Sequence, residues 1–283
     1  MSEQKNDLDD LRREIDEIDD RLQDLLILRT DVVQRIAAFK RGAGGGAMRP
    51  EREANILRRL IGRHRGPFPA VVVGRIWREI IAALTHTQAP FAVALHSLHR
   101  PLDHFDLARN HFGASRIDIY DTPGQALRAI AEGAGQVVGV LPLPAGDDEV
   151  WWPLLAATDA ARPRIVARLP FARDAQAPVE GVVVAPFEPG ASGDDAAYLI
   201  IVTGDGTEIS RGRLTDRLAA AGLIGQCIDS RQRGGDVLHL FEIDGALEDH
   251  DPRLKTLLAN HGEEILQAIV AGGYARPIEV RHY

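Results

Sequence analysis

The sequence predicts a fold in two parts, a helical N-terminal third followed by a longer α/β region. Three observations predict it. Residues 8–40 carry an apolar repeat in steps of three and four, with no Pro or Gly inside it. Two further amphipathic stretches follow before residue 90. Beyond that point short apolar strands alternate with helices, which is typical of α/β proteins.

The first stretch predicts one long helix with a heptad stripe. A helix over residues 8–40 would be about 50 Å long, longer than a small domain is wide. The stripe therefore needs a second long helix to cover it, and we expect that helix to come from a second copy of the chain. The residues of the stripe are Leu8, Leu11, Ile15, Ile18, Leu22, Leu25, Val32 and Ile36.

Two cations share this face. Arg29 fills the slot between Leu25 and Val32, and Lys40 lies about 20° round a straight helix from it. A lone cation on an apolar face usually extends to solvent at the rim. Two cations on one face favour a buried anion pocket, because a buried charge must be paired.

The second and third stretches predict two shorter helices, from Arg49-Pro50 to about residue 63 and over residues 69–88. Glu53 lies on the apolar face of the second helix, where it either pairs with a neighbouring cation or accepts a ligand hydroxyl. Gln88 continues the stripe of the third helix, although a terminal Gln is also commonly an exposed end. That stripe consists of Val73, Ile76, Trp77, Ile80, Ile81 and Leu84.

Arg29, Lys40, Glu53 and Gln88 together offer two cations, one acceptor and one neutral amide. The set contains no nucleophile–base pair and no metal-ligand spacing. It suits a small polyanion that bears a hydroxyl, and a reaction that needs positioning and charge stabilisation rather than covalent help. We expect no metal and no cofactor.

The α/β region is predicted to contain strands at 91–95, 117–120 and 136–141, with helices at 107–112 and 123–132 between them. A Pro/Gly/Asp-rich stretch at 186–195 marks a boundary. The elements beyond it approximate the order βαββαβ, which predicts a ferredoxin-like sandwich.

Composition narrows the class of protein. The chain has 283 residues, of which 45% are hydrophobic and 26% charged, as expected for a globular protein. Its net charge of -8 argues against nucleic acid as a partner. The single cysteine, Cys227, excludes an internal disulfide. No apolar run is long enough to span a membrane, and the acidic N-terminus is unlike a signal peptide, so we expect a cytoplasmic protein.

Some residues suggest little chemistry. We expect His96, His99 and His104 to be ordinary surface histidines, because their spacing in a loop is weak evidence for a metal site. Trp151 and Trp152 are expected to lie in the core or at an interface.

Several short motifs point to a known family. They are Leu11-Arg12-Arg13-Glu14-Ile15-Asp16, Leu28-Arg29, Ala37-Ala38-Phe39-Lys40, Arg49-Pro50-Glu51-Arg52-Glu53 and Thr87-Gln88. Through them residues 8–90 resemble the all-helical class of chorismate mutase, especially the first domain of the bifunctional mutase–prephenate dehydratase. The resemblance implies an intertwined helical homodimer with shared active sites.

The resemblance also implies roles for individual residues. Arg29 and Lys40 would hold the carboxylates of chorismate, with Arg52 a further cation and Arg12 reaching in from the partner subunit. Glu53 would accept the ring hydroxyl. Lys40 and Gln88 would donate to the ether oxygen whose bond breaks as chorismate rearranges to prephenate.

Two positions depart from the family pattern. Arg49 stands where the bifunctional enzyme has Asp, and Leu84 stands where it has Ser. Both family residues make secondary substrate contacts. Thr85 could supply the missing hydroxyl only if the third helix is rotated.

The rest of the chain resembles the other half of the bifunctional enzyme. Residues 108–113 and 138–142 resemble prephenate dehydratase, and residues 197–260 resemble its amino-acid-binding ACT domain, notably at Gly212-Arg213-Leu214 and Asp229-Ser230-Arg231. The dehydratase signature is altered, with Pro142-Leu143-Pro144-Ala145 for Pro-Ile-Glu-Asn and Ala196-Ala197-Tyr198 for Thr-Arg-Phe. We expect a scaffold or regulatory remnant without dehydratase activity, and an aromatic amino acid as the candidate effector.

The predicted organisation is a mutase helical domain at 1–90, a dehydratase-like α/β remnant at 91–194 and an ACT-like domain at 195–283. The predicted function is chorismate mutase, in the synthesis of Phe and Tyr. One alternative is an isochorismate pyruvate lyase, which has a similar helical fold and pocket. The other is a non-catalytic regulator that senses an aromatic amino acid and uses its helices for dimerisation.

Overall fold

The structure is a computed structural model that describes residues 2–40, 48–145, 149–157, 159, 162–173, 177–204 and 209–280, with only the backbone described for residues 2–6 and 40. The Gly-rich residues 41–47 lie outside the described residues. The chain divides into two compact units, Met1–Ala47 and Met48–Tyr283. The predicted division into three domains, at 90 and 194, stays a prediction.

The first unit contains one helix, α1 (Ser2–Lys40). The long helix predicted from the heptad repeat is therefore confirmed, and it begins earlier than residue 8. At 39 residues it is about 58 Å long. The eight apolar residues of the predicted stripe are all exposed, between 43% and 61%. A helix of this length with its apolar face still in solvent has large hydrophobic free energy left to gain.

The second unit begins with the predicted helices α2 (Pro50–Arg63) and α3 (Ala70–Gln88). The buried face of α3 only partly matches the predicted one. Ile81 is buried as predicted, Ile76 is 48% exposed, and the other four residues of the stripe are half-buried. The cause is long-range packing: a Cβ at Gly74 would lie 3.2 Å from Cβ of Ala172, so this side of α3 packs closely against another element of the unit. The buried residues of α3 are Gly74, Arg78, Ile81, Ala82 and Thr85.

The predicted βαβ rhythm is confirmed in the next segment. It comprises β1 (Ala92–Leu95), α4 (Pro101–Phe112), β2 (Arg116–Ile119), α5 (Pro123–Glu132) and β3 (Val137–Pro142). β1 pairs in parallel with β2 on one side and with β3 on the other. Pairing in parallel requires a crossover connection, which α4 and α5 provide.

A second group of elements was not predicted. A short 3₁₀ helix, Trp152–Leu155, precedes β4 (Arg164–Leu169), β5 (Ala172–Arg173) and β6 (Gly181–Ala185). Trp151 and Trp152 are buried, and their indole N–H groups donate to O of Pro142 at 3.1 Å and to Oδ2 of Asp229 at 2.9 Å. The prediction of a core or interface position for both tryptophans is confirmed.

The last segment has the predicted order βαββαβ. It comprises β7 (Asp195–Gly204), α6 (Arg211–Ala220), β8 (Gly225–Arg233), β9 (Asp236–Asp244), α7 (Pro252–His261) and β10 (Gln267–Ala275), followed by the short strand β11 (Ile278–Glu279). β7 lies between β10 and β9, with antiparallel pairing to both, and β8 is the outer strand beside β9. This is the strand order of a ferredoxin-like sandwich.

The described strands join into one nine-stranded sheet in the order β2-β1-β3-β6-β4-β10-β7-β9-β8, while β5 and β11 pair separately. The link between its halves is the parallel pairing of Gly272 in β10 with Ile165 in β4. Hydrophobic clusters cover both faces of the βαββαβ part, one of them under α6 and α7. The predicted fold class, a helical N-terminal part followed by an α/β region, is confirmed.

Within the described residues, no helix combines the length and the hydropathy needed to cross a bilayer. The cytoplasmic location stays a prediction.

Candidate active site

The predicted site residues of α1 are described within the first unit. Arg12 is exposed and forms an ion pair with Asp9 at 3.0 Å. Arg29 is half-buried, and burial lowers the pKa of its guanidinium from the ordinary value. An arginine remains protonated throughout the accessible pH range even so. The side chain of Lys40 lies outside the described residues.

Glu53 is buried in α2, on the inward face that the sequence predicted. Of the two roles left open for it, the structure shows the ion pair. Oε2 of Glu53 accepts a hydrogen bond from Nη1 of Arg78 at 2.6 Å, and both side chains are only about a tenth exposed, at 12% and 11%. A pair this short and this buried is a strong charge-assisted interaction.

Arg78 also joins α3 to the end of α4. Its Nη2 donates to the carbonyl oxygen of His111 at 2.9 Å and lies 3.3 Å from Nε2 of the same histidine. Burial, together with the charge of Arg78, holds the pKa of His111 well below its ordinary range. The imidazole is therefore neutral at neutral pH.

Neither Arg78 nor His111 was predicted as a site residue from the sequence. A signal for Arg78 was present, because it lies four residues after Gly74 and three before Ile81, in register with a second possible inward face of α3. No comparable signal marks His111.

Arg52 and Gln88 complete the predicted set in the second unit. Arg52 is exposed on α2, beside Glu53 in sequence. Gln88 is half-buried at the end of α3, where its Nε2 donates to the carbonyl oxygen of Leu84 at 3.1 Å. Gln88 lies ten residues beyond Arg78, so it is about 15 Å further along the helix axis than the partner of Glu53.

The two departures from the family pattern have different surroundings. Arg49 is exposed immediately before α2, within 3.9 Å of Glu51. Leu84 is half-buried, whereas the neighbouring Thr85 is buried. The buried face of α3 therefore includes Thr85. Its role in replacing the missing hydroxyl stays a prediction.

A cavity of about 410 Å³ lies where the altered dehydratase signature falls. Pro144, Ala145 and Tyr198 line it, with Arg168 and Glu242 among the remaining walls. Ala196 and Ala197, the other residues of that signature, are fully buried in β7. The signature positions therefore contribute no hydroxyl other than the phenol of Tyr198, and no guanidinium or carboxamide.

Arg168 and Glu242 in the walls of this cavity are linked by hydrogen bonds through Tyr274. Arg168 donates to Oε2 of Glu180 at 2.9 Å and to Oη of Tyr274 at 3.2 Å. The hydroxyl of Tyr274 donates in turn to Glu242. Burial, followed by that hydrogen bond, raises the pKa of Tyr274 to about 12. The phenol therefore stays protonated at neutral pH.

The prediction of surface histidines is wrong for His96 and His104, which are 2% and 3% exposed, and right for His99, which is exposed. The buried rings are held by local partners that the sequence could not reveal. His96 contacts O of Tyr120 at 3.0 Å and Glu149 at 3.2 Å, and His104 lies 3.0 Å from Oγ of Ser97. Over the described part of the chain, no three His, Cys, Asp or Glu side chains are grouped to hold a metal ion.

The N-terminal part consists of the long helix α1 followed by the helical hairpin of α2 and α3. Residues 11–89 match the family model of chorismate mutase type II. This segment, which runs from α1 to the end of α3, is a chorismate mutase type II domain.

Two curated proteins and one solved structure are among those that are similar to the chain. The chain is 33% identical over 89 residues to a bifunctional chorismate mutase/prephenate dehydratase of Stutzerimonas stutzeri, covering 30% of this chain and 24% of that protein. It is 32% identical over 144 residues to the protein of that description in Pseudomonas aeruginosa, covering 47% of this chain and 38% of the other. The chain thus spans well under half the length of these relatives. The solved structure of a prephenate dehydratase from Streptococcus mutans superposes with a TM-score of 0.46 at 14% identity, covering 66% of this chain and 98% of that one.

Proposed function

We propose that this protein is a chorismate mutase, which rearranges chorismate to prephenate. The observation that carries the proposal is the family match over residues 11–89. The matched segment contains all six residues that are predicted to contact the substrate: Arg12, Arg29, Lys40, Arg52, Glu53 and Gln88.

The proposed chemistry needs no covalent help. In the rearrangement one carbon–oxygen bond breaks as a carbon–carbon bond forms, and negative charge gathers on the ether oxygen. Donors fixed at that oxygen stabilise the transition state more than the ground state. Cations that hold the two carboxylates of chorismate keep its flexible arm folded over the ring, which removes part of the entropic barrier.

Gln88 suits the role of donor in its described conformation. A primary amide has two N–H donors, and the hydrogen bond to the carbonyl oxygen of Leu84 occupies one of them. The second N–H is left for the ether oxygen. The amide does not titrate, so this donor is present at every pH.

We propose a homodimer with shared sites as the active form. The exposed apolar stripe of α1 supports it, since an isolated helix with this much apolar surface in water is expected to find a partner. If Arg12 acts in the site of the partner subunit, then inactive Arg12→Ala and Gln88→Ala chains should complement each other when they are mixed and refolded. Hybrid dimers without activity would contradict shared sites.

For the C-terminal region we propose a regulatory or scaffolding role without dehydratase activity, in an ACT-like arrangement. The support is chemical: Pro144, Ala145, Ala196 and Ala197 replace the residues that would assist loss of water and carbon dioxide. An aromatic amino acid that binds there can change mutase activity only if it binds two states of the protein differently. Calorimetry with Phe, Tyr and Trp tests this. If none of the three gives a heat of binding, the scaffolding role is favoured over the regulatory one.

One assay tests the main proposal. Purified protein is incubated separately with chorismate, isochorismate and prephenate, and the products are identified. Conversion of chorismate to prephenate is the expected result. Release of pyruvate from isochorismate alone would favour the lyase, and loss of carbon dioxide from prephenate would contradict the predicted absence of dehydratase activity. No turnover of any of the three would favour the non-catalytic regulator.

A further inference from the structure

Arg78 is a buried cation that connects three helices. Nη1 of Arg78 joins α3 to Glu53 of α2 at 2.6 Å, and Nη2 joins α3 to the carbonyl oxygen of His111 at 2.9 Å. Because the two contacts use two different nitrogens of one planar group, they fix its orientation as well as its position.

The surroundings of Arg78 at the end of α4 leave Glu53 as its carboxylate partner. The carbonyl of His111 belongs to the last turn of α4, where carbonyls lack helical partners and carry the negative end of the helix dipole. The low pKa of His111 keeps its ring neutral, so no second cation opposes Arg78 from that side. Glu53 is then the carboxylate that balances the guanidinium.

Glu53 uses one of its two oxygens in this pair. Among the residues that the structure describes, none donates a hydrogen bond to Oε1 of Glu53. A carboxylate accepts hydrogen bonds at both oxygens. The ion pair therefore holds Oε2 and leaves Oε1 able to accept a hydroxyl group.

We propose that Arg78 is a positioning residue of the mutase site, which orients Glu53 so that Oε1 accepts the ring hydroxyl of chorismate. This inference rests on the proposed function. Arg78 itself touches no reacting atom. Its effect passes through Glu53, because a buried carboxylate without a cationic partner is strongly disfavoured in its charged form.

The test compares kcat and KM for chorismate in Arg78→Met, Arg78→Lys, Glu53→Gln and the Arg78→Met/Glu53→Gln double variant. Arg78→Met is expected to raise KM about tenfold with little change in kcat, because the hydroxyl contact is made in ground state and transition state alike. Arg78→Lys should restore much of the loss. In the Glu53→Gln background, Arg78→Met should raise KM by less than about twofold, because the two residues act as one unit.

A matched control is Arg59→Met, which removes an exposed arginine from α2 and should leave both constants unchanged. A merely structural role of Arg78 would reduce the amount of active enzyme, so kcat would fall at constant KM; that pattern would overturn the inference. The inference would also be overturned if the rise in KM of the double variant equalled the product of the rises in the two single variants. If Arg78→Met does not fold, Arg78→Gln takes its place: a raised KM at nearly constant kcat supports the inference, and a wild-type KM contradicts it.

The same measurements separate this inference from the proposed function. A wild-type protein that does not convert chorismate overturns both. An active wild-type protein whose constants are unaffected by Arg78→Met overturns the positioning role alone.

Discussion

Substitution of Leu22 by Glu tests whether the stripe of α1 is a dimer interface. Leu22 lies near the middle of the stripe and is 55% exposed in the single chain. Complete burial of a leucine contributes roughly 1.5–3 kcal/mol, so the half still exposed has about 1 kcal/mol to gain on association. A carboxylate in its place would lose that gain and would also be desolvated, at a further cost of about 1–3 kcal/mol.

The effect doubles in a symmetric dimer, because each chain contributes one substituted residue to the interface. The total is about 4–8 kcal/mol, which corresponds to a rise in Kd of roughly a thousandfold or more. Sedimentation equilibrium over a range of protein concentrations measures this directly. The rise in Kd should be accompanied by a loss of kcat/KM at low protein concentration, since the proposed sites are shared between subunits.

The matched control is Gln23→Glu, which introduces the same charge one residue away on an exposed position of α1. It should leave Kd within a few fold of the wild-type value. Equal values of Kd for Leu22→Glu and Gln23→Glu would refute the assignment of the stripe, and a wild-type protein that is monomeric at every concentration would refute the dimer itself.

Three further predictions concern single residues. Arg29→Ala should reduce kcat/KM by roughly 10- to 100-fold with unchanged helix content by circular dichroism, because a substrate carboxylate loses its partner; near-normal turnover would remove Arg29 from the site. Gln88→Glu should convert a broad plateau of kcat/KM across neutral pH into a profile that falls as pH rises, because the new carboxylate repels the developing charge; a flat profile would mean that Gln88 is not the donor. Folding lowers the pKa of His111 below its unfolded value of 6.5. Above pH 6.5 neither state binds the proton, and below it the unfolded state binds a proton that the folded state does not. The free energy of unfolding should therefore fall by up to about 1.4 kcal/mol per pH unit below that value, and urea titrations of wild type and His111→Gln should show a smaller slope in the variant; equal slopes would contradict a buried neutral His111.

The sequence by itself determined the elements and their order. The long helix α1, the two helices that follow it, the βαβ segment and the βαββαβ order of the last segment are all confirmed. These are local properties, because the spacing of apolar residues along the chain sets which repeating conformation presents one continuous apolar face. The residues of the proposed site were also predicted from the sequence, because each lies in one of the motifs that resemble the family.

Only the tertiary structure decided which faces meet. α3 carries two adjacent stripes, one through Ile76 and Leu84 and one through Arg78 and Thr85, and periodicity does not choose between them. The choice follows from packing against other elements of the unit, and it places Arg78 beside Glu53, 25 residues away, and beside His111, 33 residues away. Such pairings depend on contacts between distant segments, which no local spacing encodes. For the same reason the sequence did not predict the burial of His96 and His104. It also did not predict the pairing of β10 with β4, which joins the two halves of the sheet.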